Sequence, residues 1–202
     1  SGVLIRNAGA IEKLARLDTL CVDKTGTLTE GEPKLVEAEA VDGFSTGDLL
    51  QLAASLEQSS EHPLAHAIVV AARERELPLE AAKHFRSAPA GGVAGTGGGR
   101  LVLVGKPKYL REEGVSGLDT LEASAVRHQA EGASVVFVSL DGRAAGLLVV
   151  ADPVKLTTPA ALAELGALGV NVRMLTGDNP RTAEAIARRL GIGDFEAGVS
   201  PQ

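Results

Sequence analysis

Two short apolar runs, each ending in an acidic loop that contains glycine, constrain this fold more than any other feature of the sequence. The first, Leu17-Asp18-Thr19-Leu20-Cys21-Val22, leads straight into Asp23-Lys24-Thr25-Gly26-Thr27. The second, Asn171 to Leu175, leads into Thr176-Gly177-Asp178. Helical spacing of apolar residues surrounds both, over Ala8 to Arg16 before the first and over Thr158 to Leu168 and Thr182 to Leu190 around the second. Alternation of strand, loop and helix is the mark of a parallel, doubly wound sheet. The two runs lie far apart in sequence, so they read as halves of one α/β domain with something inserted between them.

The intervening chain has a different pattern. Helical periodicity covers Thr46 to Ser55, with Ser45 or Thr46 as N-cap, and Pro63 to Glu76, with Pro63 near N1, where its missing N–H is tolerated. The segment Arg86 to Gly99 is so rich in Gly, Ala, Pro and Ser that it reads as loop. Arg100 to Val104 reads as a strand and Leu118 to Glu131 as a helix. Ala133 to Leu140 and Ala144 to Val150 are β-rich runs joined by Asp141-Gly142, a strong hairpin signal. The middle is therefore expected to be an α+β domain with an antiparallel sheet. The boundaries expected are 1–32 and 146–202 for the two parts of the α/β domain and 33–145 for the insert.

Composition narrows the partners. Aromatics make up 2% of the chain, so the core must be built from Ala, Val, Leu and Ile, which suits strands buried on both faces. The net charge of −6 argues against nucleic acid, whose phosphates need surplus Lys and Arg. A single cysteine, Cys21, forms no internal disulfide. No run approaches the roughly 20 apolar residues of a membrane span; the longest, Ala144 to Ala151, is broken by Gly146. Ser1 begins no signal-peptide pattern. The polypeptide is expected to be soluble.

The chemistry concentrates where the strands end. Ligands of open α/β sheets bind at the carboxyl edge of the strands. A carboxylate there, Asp23, can attack a phosphoryl group and become an aspartyl-phosphate. Thr25, Gly26 and Thr27 offer N–H groups and hydroxyls to phosphate oxygens, and Lys24 adds positive charge. Thr176 and Gly177 could complete an oxyanion-like cradle. Blander readings exist for each. Asp23 can be a polar turn residue, and Asp178 can be the N-cap of the next helix. Asp152 to Lys155 alone is a turn.

Together these motifs resemble the P-type ATPases, whose phosphorylation domain has a haloacid-dehalogenase-like fold. The resemblance covers nearly the whole chain. It implies that Asp23 is the phosphorylated nucleophile and that Thr176, Gly177 and Asp178 form the second phosphate-contacting loop. Asp152-Pro153-Val154-Lys155 is similar to the family's Asp-Pro-x-Lys hinge, which brings Asp152 and Lys155 into the catalytic set with Lys24, Thr25 and Thr27. ATP is implied as substrate. Mg²⁺ is implied as cofactor, held by the Asp23 carboxylate and the Thr25 backbone carbonyl. Ser60-Glu61-His62-Pro63-Leu64 resembles the Ser-Glu-His-Pro motif of heavy-metal-transporting members, in which the His and a Glu five residues upstream, here Glu57, contact adenine. The alternative for His62 is a helix cap before Pro63. Gly92 and Gly105 match two glycines at which that subfamily's backbone meets nucleotide. The first glycine of the subfamily's Gly-x-Gly is Ala90 here.

The resemblance implies a fragment of a larger pump. Transmembrane helices and an actuator domain are the expected partners, at the cytoplasmic side of the cell membrane. Copper export is the first expectation, from the likeness of Gly132 to Val135 and Val149 to Pro153 to copper exporters; zinc, cadmium or lead export is the second. A stand-alone haloacid-dehalogenase-like phosphatase is the third, disfavoured because Thr25 stands where such enzymes carry a second Asp. The family's Mg²⁺-binding Gly-Asp-Gly-x-Asn-Asp loop and a Lys after a Pro resembling Pro201 do not occur before Gln202, so slow or absent turnover is expected of this polypeptide alone. The four His and one Cys have no chelating spacing, so no transported ion is expected to bind here.

Overall fold

A computed structural model describes residues 16–88 and 91–199. The expected helix at Ala8 to Arg16 falls almost wholly outside the described residues, as do Ala90 and Pro201. Two sheets organise the rest. β1 (Thr19–Asp23), β8 (Asn171–Thr176) and β9 (Asp194–Ala197) form a parallel sheet in the order β1-β8-β9. Between β1 and β8 in sequence lies a six-stranded antiparallel sheet. Its strands are β2 (Lys34–Ala40), β3 (Lys83–Ala88), β4 (Gly92–Gly97), β5 (Arg100–Gly105), β6 (Ser134–Leu140) and β7 (Arg143–Ala151), in the order β2-β7-β6-β5-β4-β3. This is a parallel α/β unit interrupted by an α+β insert.

Helices α1 (Thr46–Glu57) and α2 (Pro63–Glu74) cover one face of the antiparallel sheet, and α3 (Pro107–Glu112) and α4 (Asp119–Ala130) cover the other. Both faces of the central strands are therefore dry. Val136, Val138 and Leu148 point to the α1–α2 core with Leu49, Leu50 and Ile68. Phe137, Leu147 and Val149 point to the other core with Leu110 and Leu121. Burial on both sides explains why β6 and β7 read as continuous apolar runs rather than alternating ones. Asp141 and Gly142 join them with φ values of 50° and 78°, as a two-residue turn of this hand requires.

Two expectations are corrected. Arg86 to Gly99 is not loop; most of it is strand β3 and the start of the β4–β5 hairpin. Its glycines serve close approach within a sheet. A Cβ on Gly95 would lie 2.7 Å from Leu56 Cδ1, and one on Gly92 would lie 2.3 Å from the Val104 carbonyl oxygen. The boundary expected at 145/146 cuts through β7, which stays in the antiparallel sheet to Ala151 beside β2.

The parallel sheet is backed by α5 (Thr158–Ala167) and α6 (Pro180–Leu190). Its core joins Met174, Ala183, Ile186, Ala187 and Ile192 with Leu28. α6 is capped by Asn179, whose side chain accepts from the N–H groups of Arg181 and Thr182, and it ends at Gly191 with φ 69°. Because Asn179 is the cap, Asp178 is left for other work.

Candidate functional site

The parallel pairing aligns Asp23 with Leu175, so the loops after β1 and β8 emerge side by side at the carboxyl edge of the sheet. Asp23 is exposed, and its side chain makes no capping bond to the turn that follows. That turn, Lys24–Leu28, is irregular. Thr25 is extended with ψ 122°, and Gly26 takes φ 76°, a conformation natural only to glycine. The chain thus reverses sharply just beyond the carboxylate, with the hydroxyl-bearing Thr25 and Thr27 exposed.

What holds the turn is a set of bonds from remote sequence. The Thr29 hydroxyl, fully buried, donates to Asp152 Oδ2 at 2.5 Å and lies 3.0 Å from the Lys24 carbonyl. It also accepts from the Gly26 N–H at 3.2 Å. Asp152 Oδ1 accepts from the Gly31 N–H at 3.0 Å, and Lys155 Nζ donates to the Gly26 carbonyl at 2.5 Å. Thr158 donates to the Leu28 carbonyl at 2.8 Å. Asp152 and Lys155 therefore act on the backbone of the turn and position it. The Gly26 N–H, expected to face phosphate, is already bonded to Thr29. Thr158 belongs to no motif, and the role of Thr29, which follows Thr27-Leu28 in the run after Asp23, shows only when the return of the chain brings Asp152 to its hydroxyl.

Lys24 also departs from expectation. It is buried, and its ammonium lies 2.7 Å from Asp178 Oδ2. Asp178 further accepts from the Ser134 hydroxyl at 3.1 Å and from the Thr176 hydroxyl at 3.1 Å. Thr176 is buried, and its Oγ1 also accepts from the Asp178 N–H at 3.2 Å. The second loop is thus internally tied, with Gly177 left exposed at its tip. Lys24 neutralises Asp178 rather than offering a free cation, and the pair fixes the two loops to each other. Ser134 adds the first residue of β6 to this network, and Thr182 donates to the nearby Ala133 carbonyl at 2.9 Å.

The second group of predicted residues lies on the insert. Glu57 ends α1, and His62 caps α2, its Nδ1 accepting from the Leu64 N–H at 3.1 Å. The bland reading of His62 as a cap is thus correct as far as Nδ1 goes. With Nδ1 as acceptor, Nε2 is the protonated nitrogen of the neutral ring. Crowding by protein pushes the imidazole below its ordinary value, as does the Lys106 ammonium, while Asp178 pulls it the other way. Glu57 is 8% exposed, and burial drives its carboxyl up to about 7, with only a hydrogen bond involving Ser60 opposing the shift. Glu57, Ser60, Glu61, His62 and Arg73 line a cleft of about 340 Å³. Gly92 and Gly105 face each other across β4 and β5, so close that a Cβ on either would come within 2.7 Å of the other's Cα. The same Cβ positions would meet the Tyr109 ring. Lys106 and Tyr109 follow Gly105 directly and were not singled out in the sequence, where nothing marks them.

The two expected Mg²⁺ donors, the Asp23 carboxylate and the Thr25 carbonyl, are both oxygen, the donor type that a hard, partly hydrated divalent cation takes. Thr25 has left helical geometry, which frees its carbonyl for such a contact.

The architecture and the paired carboxyl-edge loops define a known class. The chain belongs to the haloacid dehalogenase-like hydrolases, whose model matches residues 17–201. It is 43% identical over 201 residues to the silver exporting P-type ATPase of Salmonella typhimurium, covering all of this chain and 24% of that protein. It is 46% identical over 203 residues to copper-transporting ATPase 2 of Rhizobium meliloti, again covering all of this chain and 24% of the relative. Among solved structures, a zinc-transporting PIB-type ATPase in the E2.Pi state superposes with a TM-score of 0.72 at 36% identity, covering 97% of this chain and 31% of that one. The chain spans about a quarter of the length of the curated relatives it matches. Among the described residues, no helix is long and apolar enough to cross a membrane.

Proposed function

We propose that this chain is the ATP-binding and phosphorylation module of a P-type ATPase that exports a heavy-metal cation, with copper as the first candidate. The observation that carries the reading is the exposed Asp23, whose side chain makes no capping bond, at the carboxyl edge of the parallel sheet where it pairs with Leu175, just before Thr176-Gly177. Asp152, Lys155 and Thr29 hold the turn that presents it. Zinc is the second candidate, because one solved relative is a zinc transporter. The membrane helices and actuator domain of the whole pump are the partners this reading requires, with the module on their cytoplasmic side.

In this mechanism the adenine of ATP binds at Glu57 and His62. The His62 ring stacks on the purine or donates to it through Nε2–H, and a Glu57 carboxyl oxygen accepts from the exocyclic amine. Gly92 and Gly105 let the backbone come close to the ligand. The triphosphate extends toward the parallel sheet. An Asp23 oxygen attacks the γ-phosphorus as the bond to the β,γ-bridging oxygen breaks, giving an acyl-phosphate and ADP. Thr25, Thr27 and the Gly177 N–H receive the transferring phosphoryl oxygens. Mg²⁺, held by Asp23 and the Thr25 carbonyl, would supply charge neutralisation between carboxylate and phosphate. Thr25 carries no acid to drive hydrolysis, so the acyl-phosphate persists long enough to couple to transport.

The test is radiolabelling of the full-length pump with γ-labelled ATP. Label that is stable in acid, lost with hydroxylamine and absent from Asp23→Asn is expected. Label retained in Asp23→Asn would overturn the reading. Separately, ATP titration of His62→Ala is expected to show affinity weakened about tenfold, as for loss of one good hydrogen bond; unchanged affinity would remove His62 from the adenine site.

A further inference from the structure

A cluster outside the nucleotide and phosphoryl sites has its own chemistry. β2 carries a bulge between Leu35 and Glu37. The extra residue re-aims the strand, so Leu35 and Ala38 both face the α1–α2 core while Glu37 and Glu39 point to the α4 side. There α4 presents Ser124 and His128, one turn apart on one face. His128 Nε2 lies 2.6 Å from Glu39 Oε1 and 3.9 Å from Glu37 Oε2. The ligand atoms of Glu37, Glu39 and His128 all fall within 4.8 Å of one another.

We propose that Glu37, Glu39 and His128 form a binding site for a divalent transition-metal ion of the zinc class. Tetrahedral coordination at zinc distances separates ligand atoms by roughly 3.3 Å, a spacing that the two observed distances bracket. Two adjustments are needed: Glu37 closes by about 0.6 Å, and the His128–Glu39 contact opens by about 0.7 Å as the ion replaces the proton they share. The Glu37 side chain is 53% exposed, whereas the His128 side chain is 10% exposed and anchored. The Ser124 hydroxyl donates to Glu39 Oε2 at 2.6 Å and would orient that carboxylate from behind, as supporting groups do at metal centres. Arg127 reaches Glu39 Oε1 only at 3.4 Å from an exposed position and can swing out as the ion enters. Imidazole with two carboxylates suits zinc. Thiolate is lacking for Cu(I), and the imidazole disfavours Mg²⁺ or Ca²⁺. A water would complete the fourth vertex on the exposed side of Glu37. The expected lack of chelating spacing concerned neighbours in sequence, whereas His128 and Glu39 are 89 residues apart. The ion would staple β2 to α4, the helix that also contacts α6 of the parallel-sheet unit.

The experiment titrates the 202-residue chain with Co²⁺ and then Zn²⁺. Expected are visible ligand-field absorption from one Co²⁺ per chain, its displacement by one Zn²⁺, and a rise in Tm with Zn²⁺. Glu37→Gln, on an exposed side chain, should fold as the parent does without metal and bind Zn²⁺ at least about tenfold more weakly. His128→Gln, checked for folding by circular dichroism, should abolish the absorption. Absence of the Co²⁺ bands overturns the proposal, and so does Zn²⁺ binding that is unchanged in Glu37→Gln or in His128→Gln.

Discussion

The turn after Asp23 and the cleft at Glu57 solve opposite problems. Around the turn nearly every polar group is already engaged: Lys24 with Asp178, Thr29 with Asp152, and the Gly26 carbonyl with Lys155. Only Asp23 and the tips of the loops face solvent. In the cleft the reverse holds. Glu57 is buried, with only a hydrogen bond involving Ser60 to offset its desolvation, and His62 spends Nδ1 on its helix. The first region is rigid so that one nucleophile stands in one place. The second buries a carboxyl that can ionise only at some expense of stability, an expense a ligand can offset.

This contrast can be broken most forcefully at Lys24. Lys24→Met leaves the largely buried Asp178 charge without its partner, and a loss of about 3 kcal/mol is expected in chemical denaturation. A loss below about 1 kcal/mol would mean that the loops are not held by this pair. Glu57 should behave in the opposite way. Its folded-state pKa of about 7 lies above the ordinary 4.5, so the folded form favours the protonated acid. Its burial is tolerated below about pH 4.5, and the penalty grows as pH rises through 7. Glu57→Gln cannot ionise. It should match the parent at pH 5 and be more stable by about 2 kcal/mol at pH 8, where it should also bind ATP more weakly. Equal stability at both pH values would show that Glu57 is not desolvated. The last test is at Gly92. In Gly92→Ala the new methyl would lie 2.3 Å from the Val104 carbonyl oxygen, backbone that cannot swing aside, for a cost of about 3 kcal/mol and a measurable fall in ATP affinity. Unchanged affinity would detach the β4–β5 glycines from the cleft.

The sequence was most legible where one physical demand dominated. Apolar runs ending in Asp23 and in Thr176 announced the parallel strands, and Asp141-Gly142 announced the hairpin. It failed at Arg86 to Gly99 because glycine was read for its freedom in turns. Here it serves for its lack of volume, and only knowledge of Leu56 and of the facing strand distinguishes the two uses. It was incomplete at Lys24, read only as positive charge beside Asp23, because the partner Asp178 lies more than a hundred residues away in sequence. Asp152 was recognised by motif, but its work on Thr29 and Gly31 depends on a return of the chain that no local pattern encodes. The boundary expected at 145/146 falls inside β7, because the reach of that strand to Ala151 is set by its pairing with β2, more than a hundred residues away in sequence.

The return at Asp152 has a consequence for the history and engineering of this fold. The outgoing chain at Thr29 and the returning chain at Val154 are bridged antiparallel, and the Glu30 N–H donates to the Pro153 carbonyl at 2.8 Å. The insert's two ends therefore leave the parent unit as neighbours. Such a module can be cut out and the gap closed by a short linker, because little entropy is needed to join ends that already touch. By the same geometry a different module could be grafted at this one doorway while β1, β8 and the turn at Asp23 keep their register.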